Sequence, residues 1–249
     1  MSPSVRFRPG QIVKWRALDG NALSPAAVFS LSGRLLPWLA AGGLGAIGLG
    51  VTVGFPADAS VGFVRTGLIY LPAAWLSILL LIVLAFWSAL GLVLDKPLPF
   101  MMAQAMAPTG GMFAFLALWT GAVWNKASVG IWWAGGAREV AEVFLFGLYL
   151  LIMAVPVLVG NVRRADRLLA TLALLGVAQV PLVFFVVELL GGFAVSPAPV
   201  LKGATLSAGD REFVALLLLA LGFWLYASFV ALLRLRCIIV ERESGVADL

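Results

Sequence analysis

LIYLPAAWLSILLLIVLAFWSALGLVL, residues 68–94, runs from Leu68 to Leu94 without one charged side chain. A helix rises about 1.5 Å per residue and the hydrocarbon of a bilayer is about 30 Å thick, so roughly 20 apolar residues cross it. This stretch is long enough with turns to spare, and it leaves no polar face for water. Outward from it, comparable runs recur at Leu35 to Phe55, Pro99 to Trp124, Arg138 to Gly160, Leu168 to Phe193 and Phe213 to Leu235. The pattern predicts an all-α integral membrane protein of about six transmembrane helices. Residues 35–236 form its membrane domain, between a basic N-terminal segment (1–34) and a short C-terminal tail (237–249). Composition agrees, with 62% hydrophobic and 12% charged residues, where a soluble domain has about half and about a quarter.

Charge orients the spans. With the N-terminus in the cytoplasm, that side collects Arg6, Arg8, Lys14, Arg16, Arg34, Lys96, Arg163, Arg164, Arg167, Arg234, Arg236 and Arg242. The other side holds only Arg65, Lys126, Arg138, Lys202 and Arg211. Positive residues favour the cytoplasmic loops, so both termini are expected inside. The same bias accounts for the net charge of +5 without nucleic acid as a partner. Ala57-Asp58-Ala59 has the small-x-small form of a cleavage site, but the run before it is long for a signal peptide and reads as an uncleaved span. That run carries Gly42, Gly43, Gly45, Gly48, Gly50 and Gly54, a density that suits close helix packing in lipid.

The chain contains no histidine. It therefore lacks the commonest general base, transition-metal ligand and axial haem ligand. Its one cysteine, Cys237, cannot form an internal disulfide or a thiolate zinc site, and reads as a small buried residue near the end of the last span. No nucleophile, base and orienting group fall at a catalytic spacing, which argues against an enzyme.

Two blocks at a fixed spacing carry a further signal: MAPTGGMFAFLALWTGAVWNK (Met106 to Lys126) and GIWWAGGAREVAE (Gly130 to Glu142). With IYLPAAW in the second span and VPLVFFVVELL in the fifth, they resemble the haem exporter protein C family of cytochrome c maturation. The resemblance implies a multi-pass protein of the bacterial inner membrane that handles haem beside other membrane subunits. It also implies an extracytoplasmic segment of the form WGxWWxWD lying over haem, with two histidines holding the iron. Gly130, Trp132, Trp133 and Arg138 match that pattern, whereas Val129, Gly135 and Gly136 replace two of its tryptophans and its aspartate. The histidine expected beside Tyr70, Leu71 and Pro72 is missing, and Phe184 stands at the other ligand position.

Candidate site residues follow. Trp132 and Trp133 either stack on a flat ligand or belong to an interfacial aromatic belt, and Arg138 meets a propionate or a lipid headgroup. Glu188 lies inside the fifth apolar run, so it belongs in an ion pair, with Arg138 or Arg65, or in a ligand cavity. Glu139 and Glu142 are read as first-turn carboxylates complementing a helix dipole. Tyr70, Met106 and Met112 are the remaining side chains with a donor for iron, although the methionines read as packing. Gln104 and Gln179 are expected to bond between helices. The basic, aromatic N-terminal segment reads as a solvated tail or as a patch for headgroups or a neighbouring subunit.

Two functions remain open from the residues. One is a degenerate haem exporter component that works in cytochrome c assembly without axial ligation of its own. The other is a non-catalytic accessory or scaffold subunit of a larger respiratory, photosynthetic or oxidative membrane complex.

Overall fold

The computed structural model describes residues 25–54, 62–189 and 210–247. Among the described residues the regular structure is wholly helical, in six helices: α1 (Pro25–Gly54), α2 (Gly62–Leu94), α3 (Pro97–Ser128), α4 (Ala137–Leu158), α5 (Val162–Leu189) and α6 (Asp210–Ala247). Among the described residues, five segments are long and apolar enough to cross a bilayer: Leu31–Gly54, Thr66–Leu94, Pro97–Ser128, Arg138–Leu158 and Phe213–Arg242. The chain is an all-α integral membrane protein. Exposed indoles of Trp38, Trp75, Trp119 and Trp224 dot its outer surface, as a lipid-solvated exterior allows.

The turns follow from local chemistry. Between α2 and α3 stand only Asp95 and Lys96; Asp95 adopts φ 49°, a left-handed conformation that short polar residues tolerate, and Pro97 opens α3 where a missing N–H costs nothing. So short a link makes α2 and α3 an antiparallel hairpin. Before α5, the side-chain oxygen of Asn161 accepts the backbone N–H groups of Arg163 (3.1 Å) and Arg164 (3.3 Å), satisfying donors the helix leaves open.

The glycine-rich first span packs almost entirely against α6, and the glycines are the reason. A Cβ on Gly222 would lie 2.8 Å from the backbone nitrogen of Ile47, and one on Gly50 would lie 3.1 Å from that of Leu219. On Gly43 it would stand 3.3 Å from the backbone nitrogen of Tyr226. Residue numbers rise along α1 as they fall along α6, so the pair is antiparallel and the backbones nearly touch. Gly45 and Gly48, on the other side of α1, face open space.

Polar side chains within the bundle bond across helices. Tyr149 of α4 is fully buried and donates to the carbonyl of Ser77 in α2 at 2.6 Å, its ring lying where a Cβ on Gly110 would be. Gln179 of α5 donates to the carbonyl of Ala141 in α4 at 3.0 Å. Arg242 grips both carboxylate oxygens of Asp166, at 2.8 and 3.0 Å, and donates to Gln104 at 3.0 Å, joining α6, α5 and α3. Both glutamines thus make the interhelical bonds expected of them.

Helices outrun the apolar segments. α1 begins at Pro25 and α6 continues to Ala247, so residues read as flanking segments are helical near the membrane. Cys237 departs from its expected burial: it is exposed, well before α6 ends, because it lies between the inward positions Leu235 and Ile239.

Two outcomes test this packing. Gly222→Leu should lower the melting temperature in detergent by several degrees, a penalty of about 1–3 kcal/mol for forcing close backbones apart, whereas Gly48→Leu should leave it unchanged. Arg242→Gln strands the buried Asp166 carboxylate and should cost near the lower end of the roughly 3–5 kcal/mol typical of a broken buried pair. Asp166→Asn added to it should recover part of the loss in a double-mutant cycle.

Candidate functional site

At the end of the bundle opposite the Asp95–Lys96 turn, α3 and α4 are joined by the loop Val129 to Gly136. Two of its glycines adopt left-handed backbone, Gly130 at φ 85° and Gly135 at φ 71°, a region that residues with a Cβ avoid. Between them Trp132 and Trp133 stand 56% and 50% exposed. The loop is tied down from both helices. Lys126, on the last turn of α3, donates to the carbonyl of Gly130 at 2.8 Å, and its ammonium lies 5.9 Å from the centroid of the Trp132 ring. Glu139 of α4 accepts the backbone N–H groups of Ala134 (3.0 Å) and Gly135 (2.9 Å) on one oxygen and the side-chain amide of Asn125 on the other.

Deeper between α2, α3 and α4 lies a second cluster. Tyr70 donates its hydroxyl to Glu142 at 2.5 Å. Arg138 donates its Nε to the same carboxylate oxygen at 3.3 Å, and its guanidinium covers the Tyr70 ring at 4.1 Å. Gly121 of α3 leaves the room, since a Cβ there would stand 3.3 Å from the tyrosine ring and 3.8 Å from the other Glu142 oxygen. A carboxylate and a guanidinium in an apolar span are tolerable because each is the other's partner.

The structure therefore gathers Trp132, Trp133 and Arg138 at one end of the bundle but gives them different roles. The tryptophans face outward on the loop, whereas the recorded contacts of Arg138 are with Glu142 and Tyr70. Glu188 lies near the end of α5, and its side chain, like those of Arg65 and Phe184, falls outside the described residues. Glu142 departs from expectation. It sits in the second turn of α4, which starts at Ala137, and its partners rather than a helix dipole explain it. Glu139 is in the first turn but also organises the loop.

Tyr70 is 7% exposed, with its oxygen engaged and its ring covered. Met106 packs against the buried cluster around Tyr149, and Met112 lies on the exterior, 42% exposed. Two half-exposed indoles remain on the loop, with the Lys126 ammonium beside Trp132. The Arg138–Glu142 pair was legible in the sequence as an i,i+4 spacing. The bonds from Asn125 and Glu139 depend on the loop's conformation and leave no such mark.

Comparison with known proteins gives the site its context. The sequence profile of the family described as Heme exporter protein C matches residues 20–248 and so takes in all six helices. The chain is 35% identical over 223 residues to heme exporter protein C of Bradyrhizobium diazoefficiens, covering 88% of this chain and 84% of that protein. Against heme exporter protein C of Escherichia coli strain K12 it is 33% identical over 178 residues, covering 70% and 72%. The corresponding protein of Paracoccus denitrificans is 31% identical over 237 residues, covering 91% and 94%. A match of this extent settles the kinship: the chain belongs to the heme exporter protein C family.

Proposed function

We propose that this chain handles haem in cytochrome c assembly as a membrane component of a haem exporter, and that it supplies no axial ligand of its own. The observation that carries the reading is the exposed Trp132–Trp133 pair beside the Lys126 ammonium, in a chain of this family without histidine. Haem is the cargo. Its porphyrin face is flat and apolar and stacks on indole, while its propionates are carboxylates that lysine and arginine attract. Iron ligation is a separate demand, and a partner subunit or solvent meets it. The protein acts by binding and positioning, as a transport component rather than an enzyme, within the bacterial inner membrane and among other membrane subunits.

On this reading the end bearing Lys96, Arg163, Arg164 and Arg167 faces the cytoplasm, with both termini, and the tryptophan loop faces outward. The first 34 residues, of which those before Pro25 lie outside the described residues, supply a basic segment on the cytoplasmic side. A second reading rests on the same missing histidines: a scaffold subunit that keeps the fold of its family and no longer meets haem.

Titration of the purified protein with hemin separates the two. Binding should be seen as a Soret change, and Trp132→Ala with Trp133→Ala should weaken it by about tenfold or more, since each lost stack is worth about 0.5–1.5 kcal/mol beyond its area. Tyr70→Phe should leave the Soret band where it was, because the phenol is committed to Glu142, and added imidazole should shift it by providing the missing donor. A protein that takes up no hemin and copurifies in fixed ratio with an unrelated membrane complex is a scaffold. For orientation, a C-terminal green fluorescent protein fusion should fluoresce and the matching alkaline phosphatase fusion should be inactive; the reverse result would invert the topology.

A further inference from the structure

We propose that Glu139 and Lys126 are positioning residues that clamp the two glycine hinges of the tryptophan loop, so that Trp132 and Trp133 form a preformed platform for a flat apolar ligand. The ligand class rests on the haem-handling reading; the clamp rests on geometry alone.

The loop has two points where its backbone turns left-handed, Gly130 and Gly135. Glycine reaches that region at no steric cost, but it also leaves it easily, so an unrestrained loop of this kind samples many conformations. Each hinge is held by one charged side chain from a neighbouring helix. At the first, Lys126 takes the carbonyl of Gly130 at 2.8 Å. At the second, one oxygen of Glu139 takes the N–H groups of Ala134 and Gly135 at 3.0 and 2.9 Å. The other oxygen of Glu139 takes the Asn125 amide of α3, so the second clamp is itself braced against the helix that carries the first. Charge-assisted bonds of this kind are about twice as strong as neutral ones.

Between the clamps lie Ile131, Trp132, Trp133 and Ala134. The tryptophans are half exposed, and they hold their direction through the backbone on either side. An interfacial aromatic belt needs no such bracing, because indoles settle at headgroup depth whatever the loop does. A stacking platform does need it, since a ligand that must order its own binding surface loses affinity by the cost of that ordering.

The test uses the full-length protein in detergent or nanodiscs, labelled with 5-fluorotryptophan, with the Trp132 and Trp133 resonances assigned from Trp132→Phe and Trp133→Phe. Glu139→Ala should shift and sharpen both fluorine lines and weaken hemin binding by about tenfold, the scale set by two side chains that must now be ordered on binding. Glu139→Gln keeps an acceptor for the Ala134 and Gly135 N–H groups and should restore most of both signals, which a loss of charge or of general stability would not do. Lys126→Met, at an exposed position, should move the Trp132 line and serves as the test if Glu139→Ala does not fold. Fluorine lines unchanged in both Glu139→Ala and Lys126→Met would overturn the clamp. Moved lines with wild-type hemin affinity would overturn its role in binding. If the wild-type protein takes up no hemin, the haem reading falls, while the fluorine spectra still decide whether the loop is clamped.

Discussion

Hydrocarbon offers no hydrogen bonds, and this one fact orders the bundle. A large polar or charged side chain that enters it is costly unless it finds a partner inside the protein. Ser32, Ser77 and Thr120 bond back to their own helix, whereas larger groups reach other helices: Gln179 to the backbone of α4, Tyr149 to the backbone of α2, Arg242 to Asp166 and Gln104, and Tyr70 to Glu142. Lipid competes for apolar contacts as well as any leucine does, so such directional bonds fix which helix faces which. The charged clusters sit near the two ends of the bundle, where partly exposed charges are cheapest to hold.

Where hydrogen bonds are absent, close approach takes over. The seam between α1 and α6 is closed by Gly43, Gly50 and Gly222 through backbone proximity rather than bulky side chains. This division is economical. The central helices α2, α3, α4 and α5 share a core built around Tyr149, while α1 is attached by surface fit to a single neighbour. A helix attached in that way can be placed beside the core without disturbing the polar clusters of α2, α3 and α4.

Much of the fold was legible because hydropathy reports the solvent. The runs near Leu35, Leu68, Pro99, Arg138, Leu168 and Phe213 all proved to be helices. Their ends were less legible, for a physical reason: apolarity marks where lipid stops, whereas a helix stops where its backbone bonds do. α1 therefore starts at Pro25 and α6 runs to Ala247, beyond the apolar segments. Of the candidate site, Trp132, Trp133 and Arg138 were singled out through a motif and lie at one end of the bundle, and the Arg138–Glu142 spacing was there to be seen. The role of Glu139 was not, because it depends on two left-handed glycines whose backbone angles no residue pattern fixes in advance. Cys237 was misread because residue type alone does not say which side of a helix a position occupies.

Recognition of a metalloporphyrin has two separable parts, holding the macrocycle and holding the metal. The first calls for flat apolar surface and cations at the distance of the side-chain carboxylates. The second calls for a donor atom with a free lone pair aimed along the axis. On the proposed reading, a chain without imidazole, whose Tyr70 oxygen is committed to a carboxylate, performs the first part and leaves the second to a partner or solvent. The Tyr70–Glu142–Arg138 cluster ties α2 to α4 within the protein itself, so this end of the bundle is held together by bonds that need no bound metal. On the proposed clamp, rigidity at the tryptophan loop comes from Lys126 and Glu139 rather than from a ligand. A surface of that kind favours a cargo that leaves as readily as it arrives, because no coordinate bond has to break when it is passed on.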